Sequence, residues 1–110
     1  MTTNNMNRFH YPMKWFHYRQ NNSGGYDLGP RHVVVQAVNA VMADATAMEF
    51  ADVYFDGCSS NGRDCRCCGD RWSQAWDSEG TEEPMVYCDD AVASADVMLV
   101  YYDGRTEGGK

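Results

Sequence analysis

The run His32-Val33-Val34-Val35-Gln36-Ala37 is the clearest strand signal in this chain, because three consecutive β-branched residues follow the turn residues Gly29-Pro30. Asn39 follows this run after Val38 and is a good helix N-cap, and residues 40–52 contain no Gly or Pro. The sequence therefore predicts a strand that leads into a helix. Val41, Ala45 and Met48 form one face of that helix. We expect this face and the helix methionines to pack on a sheet.

Upstream of this unit the sequence predicts a second strand and a hairpin. Residues 13–20 are rich in aromatic side chains, which favours a strand, and Asn21-Asn22-Ser23-Gly24-Gly25 then supplies turn residues. Two strands joined by a loop of this length most simply form an antiparallel hairpin. Residues 1–12 are polar and aperiodic and are interpreted as a loose leader.

Downstream, two further strands are predicted in residues 85–87 and 97–102, the latter closed by Asp103-Gly104. Residues 89–96 are interpreted as holding one helical turn, and residues 106–110 as a tail. The order of elements predicts an α+β fold in which a small two-layer antiparallel sheet carries one main helix. We expect one domain over residues 13–105, which includes a cysteine loop at residues 56–72.

The cysteine loop holds four of the five cysteines within eleven positions, and Cys65-x-x-Cys68-Gly69 has the form of a zinc knuckle. Gly69 supplies the permissive backbone that so tight a turn needs. An odd total of five cysteines, four of them crowded into one loop, in a chain without an export signal favours a metal site over a disulfide framework. Reduced structural cysteines and redox chemistry are the alternatives.

We predict that Cys58, Cys65, Cys67 and Cys68 bind one structural Zn²⁺ ion. Cys65 and Cys68 have the strongest spacing, and Cys58 reaches the ion across the loop. For the fourth ligand we rank Cys67 first and Cys88 second, ahead of the three histidines, His10, His17 and His32. Four sulfur ligands close the site, whereas a catalytic zinc keeps a position open for water.

Charge and hydropathy exclude some partners. The net charge is −7 over 110 residues, and between Asp77 and Glu107 nine acids are accompanied by Arg105 alone. Duplex nucleic acid is therefore an unfavourable partner, because phosphate binding needs a basic surface. Arg63, Arg66 and Arg71 flank the cysteines and are expected to offset the charge of metal-bound thiolates. No apolar run has membrane-spanning length, so we expect a cytoplasmic protein without a membrane partner.

A binding surface is predicted where the Asn-rich loop and the cysteine loop would meet at one end of the sheet. Polar and aromatic groups beyond what simple turns need are concentrated there. Trp72 and Trp76 either cover the metal loop and join the core or form a recognition surface with Arg71. The alternative for the Asn-rich loop is a plain hairpin turn. The residues assigned to this surface are Gln20, Asn21, Asn22, Ser23, Arg71, Trp72 and Trp76.

Three long motifs resemble a family of small proteins from tailed bacteriophages. They are Phe16-His17-Tyr18-Arg19-Gln20-Asn21-Asn22-Ser23-Gly24-Gly25, Val53-Tyr54-Phe55-Asp56-Gly57-Cys58 and Asp64-Cys65-Arg66-Cys67-Cys68-Gly69-Asp70-Arg71-Trp72. The resemblance extends over residues 13–105. It implies a phage origin, a location in the cytoplasm of the infected bacterium and an accessory role. It implies no catalytic residue, and this chain differs from the family in its leader and at Cys88.

These observations favour a binding protein, not an enzyme, that modulates a host or phage macromolecule during infection. Small size, acidity and a metal-ordered loop suit a surface that engages a protein partner. A second hypothesis is a protein that binds or sequesters a nucleotide-like small molecule through the Asn-rich loop and Arg19 or Arg71. A zinc-dependent enzyme is the third hypothesis, although the acids and histidines form no recognised catalytic spacing.

Overall fold

The computed structural model describes residues 12–21, 27–59 and 62–109. Residues 1–11 of the predicted leader, which include His10, and the loop residues Asn22 and Ser23 lie outside these described residues. Within them, the strands are β1 (Lys14–Arg19), β2 (His32–Ala37), β3 (Met85–Val86), β4 (Asp89–Asp90), β5 (Val97–Val100) and β6 (Thr106–Gly108). In this described part of the chain, helix α1 (Ala40–Phe50) follows β2, and a 3₁₀ turn spans Asp77–Glu79.

The α+β class is confirmed, and the main sheet has the strand order β1-β2-β5-β6. The predicted hairpin is present, because β1 and β2 pair antiparallel with His17 opposite Val34. The pairing of β2 with β5 is parallel, with Val34 opposite Leu99, so the sheet is mixed and not wholly antiparallel. A parallel pair requires a long crossover connection, and here α1 and the cysteine loop lie within that connection.

Both faces of the sheet are covered. On one face α1 packs against Phe16, Val33 and Val35, together with Trp72 from the cysteine loop. On the other face Trp15, Val34 and Leu99 form a second cluster beneath Val86, Ala91 and Ala93. Coverage on both sides explains why Val33, Val34 and Val35 are all fully buried in one continuous apolar run.

Helix α1 begins where the sequence predicts. The Asn39 side chain accepts a hydrogen bond from the Met42 backbone N–H at 2.9 Å and so caps the first turn. The helix ends at Phe50, two residues earlier than predicted, and Asp52 then adopts a left-handed backbone conformation with φ of 56°. No helix in the described part of the chain is both long and apolar enough to cross a bilayer.

The face of α1 that packs on the sheet differs from the prediction. The buried helix residues are Ala40, Ala43 and Ala47, whereas Val41 is 75% exposed and Met48 is 53% exposed. Bulky strand side chains already fill the space above the sheet, and a face of alanines lets the helix approach them closely. The predicted packing of Val41, Ala45 and the helix methionines in the core was therefore wrong.

Two predictions for the C-terminal third also need correction. Residues 89–96 hold no helical turn, because Asp89–Asp90 pairs with Met85–Val86 as a small two-stranded sheet that satisfies these backbone groups. The predicted tail contains β6, which pairs antiparallel with β5 and places Glu107 opposite Leu99. The sequence did not predict β6 because the side chains of this edge strand are polar and lack a strand-like apolar pattern.

Candidate metal centre

Three cysteines of the loop are brought together. The sulfur atoms of Cys65, Cys67 and Cys68 all lie within 4.8 Å of one another. The turn that gathers them is closed by hydrogen bonds from the backbone N–H groups of Cys68 and Gly69 to the Cys65 carbonyl, at 3.2 and 3.0 Å. Gly69 has φ of 88°, a conformation that strongly favours glycine, as the knuckle pattern predicts.

This geometry fits a thiolate-bound metal. Sulfur ligands at about 2.3 Å from a tetrahedral ion lie roughly 3.8 Å from each other. The Cys67 and Cys68 sulfur atoms are 3.6 Å apart, and both side chains are exposed. In the structure Cys65 and Cys67 are paired as a disulfide, so oxidation and metal binding compete for the same two sulfurs. In the reduced state Cys65, Cys67 and Cys68 could hold a metal ion.

Cys58 lies beside this cluster without joining the group of three. Its thiol donates a hydrogen bond to the Cys65 carbonyl at 3.4 Å, and its backbone N–H donates to the Asp70 carboxylate at 2.9 Å. Partial burial, followed by the Asp70 carboxylate, raises the pKa of the Cys58 thiol. The raised pKa favours the protonated thiol of Cys58, and the charge of the nearby Arg66 partly opposes this shift.

The alternative ligands are elsewhere in the described residues. Cys88 is exposed in the turn between β3 and β4. His17 and His32 form a hydrogen-bonded pair, with 2.8 Å between His17 Nε2 and His32 Nδ1, and Tyr87 packs edge-on against both rings. Neither Cys88 nor this histidine pair belongs to the cluster of three sulfurs.

A buried polar network supports the base of the cysteine loop. Arg71 is only 2% exposed and forms an ion pair with Asp64, with 3.4 Å between Nε and Oδ1. Arg71 Nε also donates to the Tyr54 hydroxyl, and that hydroxyl donates to Asp64 at 2.6 Å. The Arg71 backbone N–H donates to the second Asp64 oxygen at 2.7 Å. The loop is therefore fixed at its base by a charge pair with matched hydrogen bonds.

The same network reaches the loop after β1. Arg71 Nη1 donates to Gln20 Oε1 at 2.9 Å, and the Gln20 amide donates to the carbonyls of Leu28 and Pro30 at 2.7 Å. Asn21 continues the contact, since its side-chain amide donates to the Cys68 carbonyl at 2.6 Å. The two loops that the sequence predicted to be neighbours are in contact at Gln20 and Asn21.

The residues assigned to the binding surface have different environments. Gln20, Arg71 and Trp72 are buried, at 0%, 2% and 4% exposure, because they support the loop from beneath. Their assignment to a surface was therefore wrong, although Trp72 does join the core as the alternative interpretation had it. Asn21 is at the surface, and Trp76 is 71% exposed.

The flanking arginines are used differently from one another. Arg71 neutralises Asp64, and the Arg63 guanidinium lies over the Tyr54 ring, 4.0 Å from its centroid. Arg66 lines a surface depression of about 370 Å³ beside the cysteines, together with Cys58, Ser59, Gly69 and Asp70. Of the three, it is therefore Arg66 that lines the surface next to the cluster.

Sequence reasoning missed the structural role of Tyr54 and Asp64. Nothing in the local sequence distinguishes Asp64 from Asp56 and Asp70, the other acids of the loop, which are exposed. A repeated pairing of Gln20 with Arg71 across many related sequences would have been the signal to find this network.

Together the fold and the site define a small α+β protein with a cysteine cluster that could hold a metal ion. A family described as Domain of unknown function (DUF7296) matches residues 13–109, and the chain belongs to that family. No curated protein and no solved structure matches the chain.

Proposed function

We propose that this protein is an accessory protein of a tailed bacteriophage that binds and modulates a host or phage macromolecule, with a protein as the preferred partner. It acts in the cytoplasm of the infected bacterium, a location and origin that rest on the motif resemblance of residues 13–105. A structural zinc ion, held by Cys65, Cys67 and Cys68 with Cys58 as fourth ligand, orders the cysteine loop. No catalytic residue is part of this proposal.

One observation carries the proposal: three cysteine sulfurs lie within 4.8 Å of one another in a loop whose base is fixed by the buried Arg71. A loop that is held by a metal ion and also fixed at its base loses little conformational entropy on binding, which favours a recognition element. Asn21, Arg66 and Asp70 then provide exposed polar groups on its surface.

A small-molecule function is the second candidate, and a cavity of about 460 Å³ favours it. Tyr54, Arg63, Trp72 and Met98 are among the residues that line it. A guanidinium beside aromatic rings suits a planar anionic ligand such as a nucleotide. The arginine in this cavity is Arg63, in contrast to Arg19 or Arg71 in the sequence-based hypothesis.

Affinity capture from lysate of phage-infected bacteria tests the proposal. The parent protein is compared with the Cys65→Ser/Cys68→Ser variant and with Cys88→Ser as a control that leaves the cluster intact. We expect one or more proteins to be retained by the parent and by Cys88→Ser, and lost from the double variant. Mass spectrometry of the same eluates for small molecules addresses the second candidate.

Retention of the same proteins by all three variants would contradict a metal-ordered recognition loop. Recovery of a nucleotide in stoichiometric amount, with no protein partner, would replace the first function by the second.

A further inference from the structure

The outward side of α1 is apolar, although it faces solvent. Val41, Met42 and Met48 are 75%, 50% and 53% exposed, and Ala45 between them is exposed as well. We call these four residues the outer helix face. A helix on the surface of a folded protein normally carries polar and charged side chains on this side. An apolar stripe in their place is typical of a surface that another molecule covers.

The two charged residues of α1 leave its outer face largely apolar. Asp44 accepts hydrogen bonds from the Tyr18 hydroxyl at 2.7 Å and from the Ala75 backbone N–H at 3.0 Å, so it is engaged inside the fold. Glu49 is the other charged residue of the helix, and it is exposed next to Met48. One carboxylate therefore accompanies the four apolar residues of the outer helix face.

The apolar surface continues on both sides of the helix. The chain at residues 75–77 lies along one side, fixed by the Ala75 contact and by a 2.8 Å hydrogen bond from the Ala40 N–H to Asp77. That segment carries Trp76, which is 71% exposed. On the other side Met42 lines a shallow groove of about 160 Å³ with Tyr102, itself 59% exposed.

The segments that form this surface and its borders carry more acidic than basic residues, the nearby bases being Lys14, which lies against Gly80, and Arg105, which follows Asp103 by two residues. The acidic residues are Glu49, Asp52, Asp77, Glu79 and Asp103, and residues 40–52 and 73–83 contain no Lys or Arg. A second copy of the chain, with its net charge of −7, would bring like charges together around the apolar contact. A partner with an apolar stripe flanked by Lys or Arg would match both the apolar residues and the charges.

We propose that the outer helix face, with Trp76 and Tyr102 at its borders, docks a basic amphipathic helix of another protein. Val41, Ala45 and Met48 have the i, i+4, i+7 spacing through which one helix presents anchors to another. This inference rests on the proposed binding function and names the chemistry of its partner. The surface is separate from the cysteine cluster, so the two can fail independently.

The test uses a fluorescent 18-residue amphipathic peptide of Leu and Lys, with a Leu and Glu peptide of the same pattern as reference. Anisotropy titrations at physiological ionic strength compare the parent, Val41→Ser/Met48→Ser and Val92→Ser. Val92 is 72% exposed elsewhere on the molecule and therefore controls for the loss of an exposed valine. All proteins are reduced and zinc-loaded, and circular dichroism checks their folding.

We expect the parent and Val92→Ser to bind the Leu/Lys peptide with similar affinity. The double variant should bind about tenfold more weakly or worse, as the loss of two central anchors implies. The Leu/Glu peptide should not bind detectably. Ala45→Lys, a single exposed change that repels a basic peptide, should give the same loss and serves if the double variant unfolds.

Equal binding by the parent and the outer-face variants would overturn the proposal, as would equal binding of the two peptides. A dimer in analytical ultracentrifugation that Val41→Ser/Met48→Ser dissociates would show that a second copy covers this face instead. If peptide binding fails while capture still depends on Cys65 and Cys68, the proposed function stands and this inference falls.

Discussion

The Arg71 guanidinium donates a hydrogen bond to Gln20 Oε1 across 2.9 Å, and both side chains are almost fully buried. These residues are 51 positions apart in the chain and join the base of the cysteine loop to the loop that follows β1. The contact places a charged and an amide side chain inside a small protein. Such groups are tolerated only where their partners are complete.

Replacing Arg71 by Leu is expected to destabilise the protein strongly. The Asp64 carboxylate would remain buried without its cation, which typically costs about 3–5 kcal/mol. Gln20→Leu should cost less, about 1–3 kcal/mol, because it removes an amide donor and acceptor but no charge. Urea unfolding of reduced, zinc-loaded protein measures both, with exposed Arg66→Leu as the matched control. A loss for Arg71→Leu no larger than for Arg66→Leu would contradict the role of the network.

Metal content tests the cysteine cluster. We expect about one zinc ion per chain in reduced, tag-free protein, as a closed structural site requires. Cys65→Ser/Cys68→Ser should bind well under half an equivalent and unfold at lower urea concentration, since metal binding is coupled to local folding. Cys88→Ser should behave like the parent.

Oxidation offers a second measurement of the same cluster. Because Cys65 and Cys67 can pair as a disulfide, treatment with oxidised glutathione should release the zinc, and a thiol reductant should restore binding. Less than half an equivalent of zinc in fully reduced parent protein would refute the metal site.

The histidine pair predicts a loss of stability in mild acid. Burial, then the neighbouring His32 and Arg19, lowers the pKa of His17 to about 4 from its ordinary value of 6.5. Between these values the unfolded chain binds more protons than the folded one, so the free energy of unfolding rises with pH there. Its contribution is complete above pH 6.5 and is lost as the pH falls toward 4.

Titration of the imidazole resonances by NMR measures the pKa of His17 directly. His17→Gln, which cannot be protonated in this range, should flatten the dependence of stability on pH between 4 and 6.5. A His17 resonance that titrates near 6.5 would show that its environment is not desolvating.

Substitution of two helix alanines by Leu compares a buried packing position with an exposed position of the same helix. Ala43 is fully buried against the sheet, whereas Ala45 lies on the opposite, exposed face of the helix. Ala43→Leu should destabilise the fold by about 1–3 kcal/mol through overpacking. Ala45→Leu should change stability by no more than about 0.5 kcal/mol. Thermal or urea unfolding of the pair checks this, and equal effects would contradict the placement of the alanine face.

Duplex DNA should bind weakly or not at all at physiological salt. The net charge of −7 and the acid-rich second half oppose the phosphate backbone. Polarisation with a labelled duplex measures the affinity, and a salt-sensitive Kd below about 1 µM would contradict this expectation.

The sequence was sufficient to predict local structure where short-range signals agree. The β1–β2 hairpin and the start of α1 follow from turn residues and from the Asn39 cap. The orientation of α1 was not predictable in this way. Its apolar residues are distributed over both the Ala43 side and the Val41 side, so periodicity alone favoured the larger side chains, and packing selected the smaller ones.

The support of the candidate site depends on distant contacts. Gln20, Tyr54, Asp64 and Arg71 come together only after the sheet and helix have packed, and each has an ordinary local sequence. The three clustered cysteines, in contrast, are close in sequence, and their spacing alone indicates a shared site. The parallel pairing of β2 with β5 was missed for the same reason as the network, since no local signal fixes the direction of two strands so far apart.

That parallel pairing has a consequence for how the protein is synthesised. His32 pairs with Val97, which the ribosome adds 65 residues later. At roughly 5–20 residues per second, about 3–13 seconds pass between the two events. During that interval β2 lacks its β5 partner. The nascent chain then exposes an unpaired, apolar sheet edge at Val33, Val34 and Val35. The yield of folded protein in the cell should therefore depend on how quickly the last third is translated and on which chaperones shield that edge meanwhile.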